Sequence, residues 1–334
     1  MNKKVLANLE KCYSIAPLHY KNADHILVAA EKTDRCILFD IEGNEEETVW
    51  EGPGGVMTMV QVPGTDGQFL ATHKFYSPND SKEAKIIIAT PKNGEWEIRT
   101  LADLPFVHRF DILESEGKHY LIACCLKSGH EYKDDWSSPG KVYAALLPAD
   151  LSEFNEDHQL KLEVIKDDML KNHGYYRVVR DGKMSSLVCC DSGVFRFYPP
   201  TSSNPQWTVE TLLDTPASDA TLIDLDSDGK DELLVLSPFH GDTVLIYREK
   251  DGKYQLDYEY PEKIEFLHAI WSGEIQVSEC GRHGVTRVYF MLTDIITQST
   301  ELLFYGEGSR EMARKCILRW SRKTMHSISR CSFT

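Results

Sequence analysis

The sequence lacks several features that mark common classes of protein. No apolar run approaches the ~20 residues needed to cross a bilayer, and the first ten residues contain no apolar segment. We therefore expect neither a membrane span nor a secretory signal. The 334 residues have a formal net charge of −15, which suits nucleic-acid phosphates poorly. We expect no nucleic-acid partner, and the composition leaves the oligomeric state open.

The cysteines give no sign of a metal or disulfide framework. All nine lie outside Cys-x-x-Cys pairs and zinc-finger spacings, and Cys124-Cys125 and Cys189-Cys190 lie inside apolar runs. Because this pattern favours buried free thiols, we expect a reducing, cytoplasmic setting. The chain also has no P-loop, no Gly-x-Gly-x-x-Gly fingerprint and no Gly-x-Ser-x-Gly elbow, which disfavours nucleotide-dependent and serine-hydrolase chemistry.

Helical periodicity is scarce as well, and short apolar or alternating runs between polar turns indicate an all-β chain. Turns at Gly67, Gly117, Gly182 and Gly229 each lie between two such runs, and they are 50, 65 and 47 residues apart. A period of about 50 residues with four strands per unit is typical of a β-propeller blade. We predict a single β-propeller of about seven (six to seven) four-stranded blades over residues 1–306.

The C-terminal segment, residues 307–334, has a different composition. It contains seven lysines and arginines but two acids, so it carries about +5 while residues 1–306 carry about −20. It is an irregular last blade, a basic interaction tail, or a departure from the ancestral sequence through a reading-frame change. An intact homologue that continued the repeat past residue 306 would favour the frame change.

The most specific motif is an acidic loop at residues 224–232. Carboxylates at alternate positions of a tight turn converge on one point, and Gly229 permits the bend. Hard oxygen ligands in this number suit Ca²⁺, and the carbonyl of Lys230 is a further candidate ligand. The alternative is a solvated acidic turn without metal. The predicted ligands are Asp224, Asp226, Asp228, Lys230 and Glu232.

This loop resembles the calcium loops of FG-GAP/VCBS repeats, which occur in integrin-type and other β-propellers. The resemblance covers about 25 residues, including the apolar run after Glu232. It implies one structural calcium ion that holds a blade turn, because the other glycine turns lack the acids.

Histidines recur at related positions of the repeat. His108 and His173 each lie nine residues before a turn glycine, and His268 begins a similar strand. Equivalent positions in successive blades lie around one ring near a propeller axis, so we expect these imidazoles to converge on a central pocket. His73 and His240 could reach the same pocket mouth. The alternative is that each histidine is a packing or surface residue.

Arginines and a long insert complete the candidate site. Arg109 and Arg177 could clamp a carboxylate through bidentate hydrogen bonds, or they could pair with acids such as Asp111. The segment between Gly117 and Gly182 is longer than its counterparts and rich in aromatic and charged residues. We predict that it binds substrate or forms a locally packed loop. Its candidate ligand-binding residues are His130, Lys133 and Trp136.

Residues 107–111, the stretch from Trp136 to Gly140 and the acidic loop together are similar to the propellers of carbohydrate-active lyases. These are the rhamnose–glucuronate lyases, the ulvan lyases and the propeller domain of aldos-2-ulose dehydratase. The resemblance implies β-elimination on a uronate-containing or oxidised oligosaccharide, with His108 or His173 as base, Tyr176 as acid and Arg177 at the carboxylate. The implied catalytic set is His73, His108, His173, Tyr176, Arg177 and His268.

Two alternatives stay open. The histidines could hold a second divalent metal, Zn²⁺ or Mn²⁺, for metal-assisted proton removal. The chain could also be a non-catalytic FG-GAP-like propeller that binds a protein or glycan partner.

Overall fold

The computed structural model describes residues 5–226, 228–279, 282–294, 299–304 and 317–320. These residues contain no helix; their 24 strands form six four-stranded antiparallel sheets, each with its strands in chain order. The all-β class and the four-stranded blade pattern are therefore confirmed, and six sheets lie within the predicted six to seven. None of the described residues belongs to a helix long and apolar enough to cross a membrane.

The first three sheets precede residue 170. The strands are β1 (Cys12–Tyr20), β2 (Ala23–Ala30), β3 (Cys36–Asp40), β4 (Glu45–Trp50), β5 (Met59–Gln61), β6 (Phe69–His73), β7 (Lys85–Lys92), β8 (Glu95–Asp103), β9 (Val107–Ser115), β10 (Lys118–Lys127), β11 (Pro139–Leu147) and β12 (Glu163–Met169).

The other three sheets follow. Their strands are β13 (Gly174–Arg180), β14 (Lys183–Cys190), β15 (Gly193–Tyr198), β16 (Thr208–Leu213), β17 (Asp219–Ile223), β18 (Glu232–Ser237), β19 (Thr243–Lys250), β20 (Lys253–Glu259), β21 (Leu267–Glu279), β22 (Arg282–Asp294), β23 (Ser299–Phe304) and β24 (Ile317–Trp320). The remainder of the predicted basic segment 307–334 lies outside the described residues.

The turn glycines connect the first two strands of their sheets. Gly117 and Gly182 have φ values of +73° and +71°, and Glu116 and Asp181 before them each have a φ of +50°. Positive φ at two successive residues defines a type I′ turn. The twist of this turn matches that of the two strands it joins, so it forms a two-residue hairpin loop. The spacing of these glycines therefore marks real hairpins.

The chain divides into two compact units. The N-terminal unit comprises residues 4–185 and 197–209, and the C-terminal unit comprises residues 186–196 and 210 onward. Leu18, Leu38 and Phe69 belong to the core of the N-terminal unit, while Leu234 and Leu267 belong to that of the C-terminal unit. The cysteine pairs at 124–125 and 189–190 are buried thiols outside any disulfide, as predicted.

Candidate functional site

Two of the predicted histidines lie together in the N-terminal unit. His108 in β9 and His173, just before β13, are 4% and 2% exposed. Their ring centroids are 4.8 Å apart, and Phe75 packs edge-on against His108 at 5.0 Å. Their equal distance from the turn glycines thus brings them together, because they occupy equivalent positions at the starts of the first strands of consecutive sheets.

His73 occupies a different, apolar environment at the end of β6. Its ring meets Trp50 edge-on, with centroids 4.6 Å apart. Burial, aided by the charges of Lys85 and Lys74, lowers the pKa of His73 to about 3. The imidazole is therefore neutral at physiological pH, so it cannot serve as a general acid there.

A buried carboxylate organises the neighbouring arginine. Arg177 Nε donates to Asp111 Oδ2 at 2.8 Å, and Arg177 Nη2 donates to Asp111 Oδ1. The Tyr175 hydroxyl donates to the same carboxylate at 3.1 Å. Burial disfavours the charge on Arg177, but Asp111 outweighs it and raises the pKa of the guanidinium. Tyr175, two residues before Arg177 on one strand face, joins this group, whereas Tyr176 belongs to the opposite face.

Asp111 is the functional candidate that the sequence reasoning undervalued. It is 4% exposed, and its pairing with Arg177 joins β9 to β13. The signal was the placement of both residues shortly before equivalent turn glycines. The Arg177 side chain is 40% exposed, and its Nη1 makes no hydrogen bond to any described residue. The guanidinium of Arg177 is thus held in place by Asp111, and its Nη1 is available to donate a hydrogen bond to a ligand.

The structure places Arg109 among internal partners. Its Nη1 donates to the Met57 carbonyl at 2.7 Å, and its Nη2 donates to the Tyr13 hydroxyl at 3.3 Å. The guanidinium also lies over the Tyr13 ring at 5.6 Å. These contacts match a role in packing, and a substrate carboxylate would have to compete with them.

The insert, residues 128–138, is fastened by a lysine that the sequence analysis did not single out. Lys127 is fully buried, and its Nζ donates to the Asp135 carbonyl at 3.0 Å and lies 4.5 Å from the centre of the Trp136 ring. Burial lowers the pKa of Lys127. His130 packs edge-on against Phe106 at 5.8 Å, and Lys133 is exposed.

In the C-terminal unit, His240 and His268 form a second aromatic group. Their ring centroids are 4.9 Å apart, and Phe239 stacks on His240 at 4.0 Å. Burial lowers the pKa of His240 to about 4. His268 is 8% exposed and lies parallel to Phe266 at 5.9 Å. His268 is thus buried, and His240 is partly buried beside it.

The acidic loop has the donor set expected for a hard cation. Asp224, Asp226 and Glu232 each bring a carboxylate oxygen within 4.8 Å of the others. The two oxygens of Asp224 accept the N–H groups of Asp228 and Gly229 at 3.1 and 3.0 Å, which closes the loop. These residues fit Ca²⁺, because converging carboxylates at this spacing supply the oxygen ligands that it prefers.

Glu232 is the most buried of these acids, at 1% exposed. Burial raises its pKa, and the charges of Asp226 and Asp228 add to the rise, against the Leu225 N–H and Arg248. The Arg248 guanidinium, 2.8 Å from Glu232 Oε1, opposes this rise without outweighing it, so a further cation beside Glu232 would favour its charged form.

Neither a protein-family model nor a curated protein sequence matches this chain. Among solved structures, a luciferin-regenerating enzyme is 10% identical, with a TM-score of 0.47 over 90% of this chain and 87% of its own. The Cps50 (Swd1) β-propeller domain of Myceliophteria thermophila is 10% identical, with a TM-score of 0.49 over 91% and 86%. The Dos1 propeller is 10% identical, with a TM-score of 0.47 over 88% and 67%. At this level the likeness indicates no activity or ligand for this chain.

Proposed function

We propose that the protein is a carbohydrate lyase or dehydratase that acts by β-elimination on a uronate-containing or oxidised oligosaccharide. The observation that carries this proposal is the buried pair of His108 and His173, 4.8 Å apart. An imidazole accepts a proton near neutral pH, and two adjacent rings offer both a base and a positioned partner.

The elimination needs a base, a group that stabilises the developing negative charge, and an acid. His108 or His173 removes the proton on the carbon next to the carboxylate, and the electron pair forms a C4–C5 double bond as the C4–O bond breaks. Arg177, fixed by Asp111, stabilises the negative charge that develops on the carboxylate. Tyr175, which shares the strand face of Arg177, takes the role of acid that the family resemblance implied for Tyr176 and protonates the departing oxygen. His73 takes no part in this step, because its ring packs against Trp50 in a separate, apolar environment.

A divalent metal on the histidines is a variant of this proposal. The pair supplies two of the three or four ligands that a zinc site uses, and the ion would favour proton removal by polarising the substrate.

We further propose that the acidic loop holds one structural calcium ion. Asp224, Asp226, Asp228 and Glu232, with the Lys230 carbonyl, would bind it. The ion would neutralise the negative charge of these converging carboxylates.

The test is turnover of a panel of uronate oligosaccharides, followed by the ultraviolet absorbance of the new C4–C5 double bond, with and without EDTA. Oxidised neutral sugars, analysed for loss of water, cover the dehydratase case. A rise in absorbance or a dehydrated product supports the proposal. No product across both panels would contradict it and favour the second candidate.

The second candidate is a non-catalytic propeller that binds a glycan or protein partner. It is favoured by one observation: Arg109 and Lys127 are committed to internal contacts, whereas Tyr132 at the tip of the insert is 68% exposed. A binder would lose affinity on Tyr132→Ala, with no product formed from any sugar. The lyase would instead keep its chemistry in that variant.

A further inference from the structure

An arginine from the neighbouring strand lies inside the acidic loop. Leu233 in β18 pairs with Tyr247 in β19, so the next pair along the strands sets Arg248 opposite Glu232. Arg248 Nη1 lies 2.7 Å from Asp226 Oδ2 and 2.8 Å from Glu232 Oε1, with Asp228 Oδ2 at 4.0 Å. One guanidinium nitrogen thus contacts two of the predicted calcium ligands at hydrogen-bond distance.

This position conflicts directly with a calcium ion. Calcium binds carboxylate oxygens at about 2.3–2.6 Å. An ion bound to both Asp226 and Glu232 would therefore occupy the space of Nη1. The guanidinium remains charged at all ordinary pH values, so loss of a proton cannot weaken its attraction to the carboxylates. The side chain must therefore move away before calcium can bind.

The structure also provides a second place for the displaced side chain. Arg248 Nε lies 3.5 Å from Oδ2 of Asp257, an acid of β20 outside the loop, whose Oδ1 also lies 3.6 Å from Lys250 Nζ. If the guanidinium moved towards Asp257, it would keep an ion pair while it released Asp226 and Glu232.

We propose that Arg248 is the built-in counter-cation of the acidic loop, and that calcium binds only by displacing it towards Asp257. This inference rests on the proposed calcium site. The arginine keeps the loop folded without metal and lowers its affinity for calcium, so the loop alternates between two neutralised states.

The test measures calcium binding by isothermal titration calorimetry on the full chain after chelator treatment. The variant is Arg248→Gln, and the control is Lys253→Gln, an exposed lysine on β20 whose loss changes the net charge equally. We expect at least about tenfold tighter binding in Arg248→Gln, because a cation in direct contact with the ligands is removed. The control should change by less than about threefold.

Thermal unfolding in chelator gives the second readout. Arg248→Gln should unfold at a lower temperature than wild type and the control, and added calcium should restore it. Calcium binding to Arg248→Gln alone would also support the inference. A third variant, Asp257→Asn, should weaken calcium binding, because it removes the second partner of the arginine, and it applies even if Arg248→Gln fails to fold.

Two results would overturn the inference. Equal affinities in wild type and Arg248→Gln, or equal tightening in the control, would show that Arg248 does not exchange with the ion, while the calcium site would stand. No calcium binding by any of the proteins would remove both the exchange and the calcium site.

Discussion

His73 should make folding stability sensitive to acid. Burial, with the charges of Lys85 and Lys74, lowers its pKa to about 3, whereas an unfolded histidine titrates near 6.5. At any pH between these values the unfolded chain binds more protons than the folded chain. The stabilisation is therefore fully present above about pH 6.5 and is lost as the pH falls towards the folded pKa.

The magnitude follows from the pKa difference. The loss begins only near pH 6.5, and below that pH each unit costs about 1.36 kcal/mol, so the fall from about pH 7.5 to about pH 5 should cost about 2 kcal/mol from this one residue. No discount for solvent is needed, because His73 is 4% exposed. The perturbation is His73→Gln, which removes the titration but keeps a polar side chain.

The assay is urea unfolding, followed by circular dichroism, at both pH values. Wild type should lose about 2 kcal/mol more than His73→Gln between them, whatever the stability of the variant at neutral pH. The control is His19→Gln at a histidine that is 55% exposed, and it should follow wild type. Equal acid losses in wild type and His73→Gln would refute the reasoning, because they would show that His73 titrates alike in both states.

Three further substitutions test the other structural claims. Asp111→Asn should lower the free energy of unfolding in urea by about 1–2 kcal/mol. This loss is smaller than that for breaking a fully buried ion pair, because Arg177 is 40% exposed. A change near zero would show that Asp111 does not organise Arg177. Lys127→Met should speed protease cleavage within residues 128–138, because it removes the hydrogen bond to the Asp135 carbonyl; exposed Lys133→Met is the control, and equal cleavage would contradict the fastening role. Gly229→Ala should lower the free energy of unfolding by about 1 kcal/mol in thermal or urea unfolding. The φ of Gly229 is +87°, which strains an alanine, but an added Cβ meets no atom within 4 Å and so causes no clash. An unchanged stability would mean that the turn relaxes.

The repeat could be predicted from the sequence because each hairpin turn depends only on residues that are adjacent in the chain. A type I′ hairpin needs positive φ at two successive residues, so Gly117 and Gly182 reveal hairpins without any knowledge of the rest of the chain. The pairing of His108 with His173 followed in turn from equal spacing to those glycines. These predictions needed only strand periodicity and turn chemistry.

The partners of the charged side chains could not be predicted from the sequence in the same way. Arg248 meets Glu232 only because Leu233 pairs with Tyr247, and that register depends on the connection between β18 and β19. Lys127 likewise ends an apolar strand, and only the folded insert buries its ammonium. Sequence patterns therefore predicted which groups could bind a ligand, but not which were already paired within the fold.

The most direct measurement for the proposed function is turnover by His108→Gln and His173→Gln beside wild type, on a sugar that wild type converts. Circular dichroism and urea unfolding would first show that each variant folds. The account predicts that at least one variant loses about 10²-fold or more in kcat while it remains folded, as expected when a general base is removed. Near-wild-type kcat in both folded variants would contradict it.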